Sequence, residues 1–121
     1  MFAVEPGLLG PRLGELGRRL PRPRAAVVLS PHWMTRGVRV QSGAALDTVH
    51  DFGGFPRELY SLQYPAPAAP ALAAEVIATL AHHGIEARAD AGRGRDHGAW
   101  VPLMHLFPEA DVPVIQISQP A

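Results

Sequence analysis

Six histidines in a chain of 121 residues are the side chains best suited to chemistry near neutral pH. His32 directly follows a short apolar run that is expected to be a strand. Ligands of open α/β sheets bind at the carboxyl ends of strands, so His32 is expected at a ligand-binding site. The competing interpretation is that the His32 imidazole is only hydrogen-bonded to a loop carbonyl. His97 stands next to Asp96 and ahead of Trp100, where an imidazole could exchange protons with a ligand and an aromatic ring could wall a pocket.

The remaining histidines carry weaker signals. His50 precedes Asp51 and a pair of glycines, which would let a loop approach a ligand closely, although a structural turn explains the segment equally well. His82 and His83 are expected to be solvated at the end of a helix, where positive charge complements the helix dipole. His105 is interpreted as a packing or surface residue. Since no histidine pair has His-Glu-x-x-His spacing, a small zinc hydrolase is the weakest alternative.

Composition excludes several function classes. The chain has no cysteine, so disulfides, thiolate metal sites and thiol nucleophiles are ruled out. Eleven basic residues balance eleven acidic ones, so neither nucleic acid nor an anionic membrane is an expected partner. Phosphate-loop, dinucleotide-binding and Gly-x-Ser-x-Gly motifs are absent from the sequence. With 47% hydrophobic residues, no signal peptide and no long apolar run, the chain is expected to be one cytoplasmic domain over residues 1–121.

Alternating strand and helix patterns must position these side chains. Residues 25–30 are apolar on both faces, which is typical of a strand inside a parallel sheet. The other elements predicted from periodicity, prolines and glycines are strands at 37–41, 85–89 and 112–118, and helices at 11–20, 71–84 and 99–107. This order predicts an α/β domain with a mostly parallel central sheet flanked by helices.

Four segments in a fixed order carry a resemblance to a known family: Ser30–Gly37, His50–Pro56, Tyr64–Pro67 and Asp96–Trp100. Together they resemble the LigB-type class III extradiol ring-cleavage dioxygenases, in particular the DOPA 4,5-dioxygenase-like branch, over essentially the whole chain. The resemblance implies an enzyme that opens a catechol ring next to its two hydroxyls with O₂, using non-haem iron(II), with zinc sometimes found in the same site. DOPA, protocatechuate-like acids and other catechols all remain open as substrates.

The resemblance also assigns roles to individual residues. His32 corresponds to a metal-binding histidine, and His97 to the histidine that acts as acid and base on the catechol. Such chemistry needs a metal with open coordination positions and a nearby imidazole that moves protons. The residues expected to line the substrate pocket are His50, Asp51, Phe52 and Trp100.

The sequence departs from the family pattern in its metal ligands. The family carries another metal histidine in a His-Gly-Ser-Pro-like motif before the segment that begins here at Met1, and a further one in the second half of a longer chain. Without them, an N-terminal half with a truncated fold is expected, which holds Fe(II) or Zn(II) weakly. The alternatives are a Memo-like binding module without catalysis and an inactive fragment. Because the chain ends after an apolar strand, an uncovered sheet edge and a homo-oligomer through it are also expected.

Overall fold

The computed structural model describes residues 7, 9–42, 64, 66–94 and 96–121. Within those ranges all seven predicted elements are present, with their ends shifted by a few residues. In chain order they are α1 Leu9–Arg19, β1 Ala26–Thr35, β2 Val38–Gln41, α2 Pro70–His82, β3 Ala87–Asp90, α3 His97–Leu106 and β4 Val114–Pro120. No helix in the described ranges has the length and apolar character needed to cross a membrane.

The four strands form one sheet in the order β1-β4-β2-β3. β1 pairs with β4 and β2 with β3 in parallel, whereas β2 and β4 are antiparallel. The mostly parallel α/β sheet is therefore confirmed. Two strands occupy other places than predicted. Among the described strands, β1 lies at the edge of the sheet instead of inside it, and β4 lies in the middle instead of forming the uncovered edge. The reason is that β4 follows a helix that returns it between β1 and β2.

β1 is also longer than predicted, because it continues past Pro31. Its pairing with β4 is interrupted between Leu29 and Met34, where β1 advances five residues while β4 advances only from Ile117 to Gln119. Proline lacks the N–H that a ladder needs, and it is tolerated at edge strands and bulges. His32 consequently lies within the irregular part of β1, and the prediction that it follows the end of the strand is wrong.

Helices cover the two faces of the sheet. α3 and Tyr64 cover one face, in a buried cluster made of Tyr64, Ala66, Trp100, Val101, Leu103 and Val114. α2 covers the other face, where Val40, Ala73 and Ile115 are buried. α1 packs against the outside of α3 at Gly17, where a Cβ atom would overlap the carbonyl oxygen of Leu106. α3 is thus held between α1 and the sheet, with its first residue, His97, at the end nearest β1.

Candidate functional site

His32 and His97 lie against each other. Their ring centroids are 3.9 Å apart and their ring planes are inclined by 41°. His32 is exposed on β1, and His97 is half-buried as the first residue of α3. Two imidazoles that are distant in sequence can therefore reach the same small ligand at the surface of the protein.

Asp96 is the centre of a buried hydrogen-bond network next to the two imidazole rings. It has no solvent exposure and is the N-cap of α3, with Oδ1 accepting the backbone N–H of Gly98 at 2.9 Å. Oδ1 also accepts from Ser30 Oγ at 2.6 Å, and Oδ2 accepts from Gln116 Nε2 and from an Arg93 Nη at 3.0 Å. Hydrogen bonds to a carboxylate are stronger than those between neutral groups, so this side chain joins β1, β4 and α3 firmly.

Ser30 connects this carboxylate to His32. Its hydroxyl donates to Asp96 and accepts the backbone N–H of His32 at 3.1 Å. His97 is the residue next to Asp96 in the chain. The positions of both imidazoles are therefore set by the same buried carboxylate, one through Ser30 and the other through the backbone.

Arg93 closes the loop that leads into α3. Its guanidinium carbon lies 5.3 Å from the ring centroid of the buried Trp33. The backbone carbonyl of Arg93 accepts a hydrogen bond from Gln41 Nε2. A cation above an indole face is attracted by the ring electrons. The arginine is thus held between Trp33 and Asp96, which ties the loop before α3 to β1 and β2.

Gly98 allows α3 to begin this close to β1. A Cβ atom at this position would overlap Ser30 Oγ and come within 3.0 Å of His32 Cδ2. We expect Gly98→Ala to push the two imidazoles apart and to destabilise the protein by about 1–3 kcal/mol, the usual cost of overpacking. The nuclear Overhauser effect between the two rings and the urea unfolding curve measure these changes.

Gly92→Ala is the matched control for this prediction. A Cβ atom at Gly92 meets only Asp90 Oδ1, at an ordinary distance of 3.9 Å. The control should leave the ring contact intact. An unchanged contact in Gly98→Ala as well would show that the close approach of α3 does not position the rings.

The other residues expected at the site are placed differently. His50, Asp51 and Phe52 lie outside the described residues. Trp100 is fully buried in the cluster on the α3 face, because it sits one helical turn after His97 on the side of α3 that faces the sheet. Its indole packs in this cluster instead of lining an open surface, and its role in substrate binding stays a prediction.

Sequence reasoning missed the supporting residues. The sequence analysis assigns no role to Ser30, Arg93 or Gln116. One signal was available: an aspartate directly before an apolar run is typical of a helix N-cap, which would have started α3 at His97. The contacts of Ser30 and Gln116 with Asp96 had no local signal.

The donor set fits a metal ion in type. Imidazole nitrogen suits both iron and zinc, and His32 offers one at the surface. In the part of the chain that the structure describes, no group of three or more histidine, aspartate or glutamate side chains is arranged to hold an ion. Since such sites use about three protein ligands, the others would have to come from outside the described residues.

The fold agrees with the comparisons with known proteins. The family model described as the catalytic LigB subunit of aromatic ring-opening dioxygenase matches residues 12–121. The chain belongs to this LigB family.

Similar proteins support the same conclusion. The chain is 44% identical over 118 residues to a 4,5-DOPA dioxygenase extradiol of Escherichia coli K12, covering 98% of this chain and 43% of that protein. It is 47% identical over 98 residues to a 4,5-DOPA dioxygenase extradiol of Beta vulgaris, covering 80% and 37%. The crystal structure of an uncharacterized protein from Escherichia coli K12 superposes with a TM-score of 0.72 at 38% identity, covering 93% and 41%. The chain thus spans about two fifths of the length of these relatives.

Proposed function

We propose that this chain takes part in extradiol opening of a catechol ring with O₂, and that His32 and His97 carry the chemistry. The observation that supports the proposal is the contact between the two imidazoles, at 3.9 Å between ring centroids, in a chain of the LigB family. LigB-type dioxygenases depend on a metal. Relatives named 4,5-DOPA dioxygenase make DOPA the first catechol to test.

His32 would hold the metal through a ring nitrogen. The exposed position of His32 on β1 leaves room for a substrate, and its backbone N–H is fixed by Ser30. When bound, an iron(II) ion would supply open coordination positions for the catechol oxygens and for O₂. Iron is the proposed ion, with zinc as the competing one.

His97 would move protons. Its imidazole lies beside His32, so a ring nitrogen can reach a hydroxyl of a catechol that binds there. Imidazole accepts and returns protons readily near neutral pH, which suits removal of a hydroxyl proton and its later return. Asp96 holds the start of α3 in place, so the ring stays close to its partner during both transfers.

Oxygen uptake tests this proposal. The protein, loaded with Fe(II) without oxygen, should consume O₂ when DOPA or unsubstituted catechol is added in an electrode cell. The double variant His32→Ala/His97→Ala should consume no more than iron alone. His82→Ala is the matched control, since His82 is exposed at the end of α2, and it should behave as the wild type.

Iron without protein provides the blank, because catechols oxidise slowly in air. Wild-type uptake equal to this blank at every loading of iron or zinc would contradict an activity of this chain. Equal uptake by the wild type and the double variant would contradict the roles of the two histidines.

A further inference from the structure

Two arginines lie side by side on neighbouring strands. Arg39 on β2 and Arg88 on β3 are direct partners in the parallel register. Paired strands are about 4.8 Å apart and paired residues point to the same face of the sheet, so the two guanidinium groups are held near each other. Like charges at such positions destabilise a sheet. The pair is therefore unfavourable unless negative charge lies close to both groups.

The neighbouring carboxylates neutralise this pair only weakly. Arg39 Nη1 lies 3.9 Å from Asp90 Oδ2, and Arg88 Nη2 lies 3.9 Å from Glu86 Oε1. Both distances exceed the limit of roughly 3.2 Å for a good N–H···O hydrogen bond. The side chains of Arg88 and Glu86 are also 77% and 84% exposed, and exposed ion pairs contribute little to stability. Within the described residues, N–H groups of both arginines are thus available to another acceptor.

A third arginine lies beside the same concave surface. Arg36 is exposed in the turn between β1 and β2. The surface encloses about 400 Å³ and is called here the arginine concavity; its lining consists of Arg36, Gly37, Val38, Arg39, Glu86 and Arg88. Three arginines against one carboxylate concentrate positive charge there, although the chain as a whole has no net charge.

Hydrogen bonds fix the backbone that carries two of these arginines. Ser118 Oγ on β4 accepts the backbone N–H of Arg39 at 2.8 Å and lies 2.6 Å from Thr35 Oγ1. Thr35 precedes Arg36 in the chain, and its hydroxyl donates to the carbonyl oxygen of Gly37 at 2.5 Å. The turn and β2 are thus joined through β4. A ligand would not have to order this backbone, which lowers the cost of binding.

We propose that the arginine concavity binds a phosphate group, either as inorganic phosphate or as a small phosphate monoester. Planar guanidinium groups bind phosphate oxygens through paired hydrogen bonds, and a doubly charged anion between Arg39 and Arg88 would turn their repulsion into attraction. Nucleic acid and anionic membranes fit less well, because three arginines around one concavity make a compact site on a chain of zero net charge. The proposal does not depend on the proposed ring opening.

Titration with phosphate tests the proposal. Heteronuclear NMR spectra of the backbone and of the arginine side chains are recorded in chloride buffer while inorganic phosphate is added at constant ionic strength. We expect saturable shifts at Arg36, Arg39 and Arg88. Glycerol phosphate is titrated in the same way, because the concavity has room for more than one phosphate group.

Charge-removing variants locate the binding. Arg39→Gln and Arg88→Gln should each weaken phosphate binding about tenfold or more, the effect of losing one hydrogen bond between charged groups. Arg19→Gln is the matched control. Arg19 lies on α1, is 77% exposed as Arg88 is, and also has a carboxylate neighbour, Glu15. The control removes the same charge away from the concavity and should bind phosphate as the wild type does.

Stability provides a second readout, which an ordinary surface arginine would not change. Without phosphate, Arg88→Gln should raise the urea concentration at the unfolding midpoint, because it removes the repulsion on Arg39. Saturating phosphate should raise the midpoint of the wild type and of Arg19→Gln, since a ligand of the folded state stabilises it. The midpoint of Arg88→Gln should not respond to phosphate.

Three results would overturn the proposal: shifts that do not saturate, equal weakening by Arg19→Gln, or a phosphate response that persists in Arg88→Gln. Circular dichroism checks that each variant folds, and the shifts of the wild type decide the matter if one does not. Equal affinity for both compounds would identify inorganic phosphate as the ligand, and tighter binding of glycerol phosphate would identify a phosphate ester. Both readouts are separate from O₂ uptake, so the proposed activity and the phosphate site can fail independently.

Discussion

Asp96→Ala is expected to be the most destabilising single substitution at the site. It removes an acceptor from Ser30, Gln116, Arg93 and the backbone N–H of Gly98 in a fully buried position. Removing one partner of a buried charge pair costs roughly 3–5 kcal/mol, and loss of an N-cap adds about 1 kcal/mol. Urea unfolding followed by tryptophan fluorescence measures the loss, since both Trp33 and Trp100 are buried.

Asp96→Asn separates the charge of this side chain from its shape. The asparagine oxygen can still accept from Ser30 and Gly98, while its NH₂ group would face Arg93 and Gln116 Nε2. Within the described residues, Gln116 Oε1 is buried without a partner, so rotation of that amide would let it accept from the new NH₂ group. We therefore expect less than half the loss seen with alanine. A loss below 1 kcal/mol in Asp96→Ala would show that the buried network does not hold the site together.

The sequence predicted the elements of this fold better than their arrangement. Strands and helices appear where local periodicity and proline positions indicated them, because those patterns act over a few residues. The neighbours of each strand depend on where the helices return the chain. Local patterns therefore predict β1 inside the sheet and β4 at its edge, whereas among the described strands β1 lies at the edge and β4 inside.

The candidate site shows the same division between local and distant information. His32 and His97 could be selected from their types and their neighbours in the sequence. The support behind them could not, because Ser30 and Asp96 meet across 66 positions of the chain. Pro31 adds a second reason. A proline after an apolar run predicts the end of the strand there, but an edge strand tolerates proline, so β1 continues and His32 lies in the irregular part of the pairing.

Single substitutions of the two imidazoles should separate metal binding from proton transfer. His97→Ala is expected to retain iron and to lower the rate of O₂ uptake with DOPA by about 10²–10⁴-fold, the usual contribution of a positioned acid and base. His32→Ala is expected to weaken iron binding by about 100-fold or more, since even the groups behind metal ligands contribute 10–100-fold. Calorimetric titration with Fe(II) under nitrogen measures binding, and the oxygen electrode measures the rate.

This difference depends on how the rings are held. His32 is exposed on β1, so its side chain can turn towards a metal ion that arrives from the solvent. His97 is half-buried at the capped start of α3, so its side chain has less freedom to move towards the ion. Added imidazole should restore part of the rate to His97→Ala, because a diffusible base can replace a proton carrier, and His82→Ala should match the wild type in both measurements. Equal losses of iron binding in His32→Ala and His97→Ala would instead make both rings metal ligands, and the proton carrier would then have to be another group.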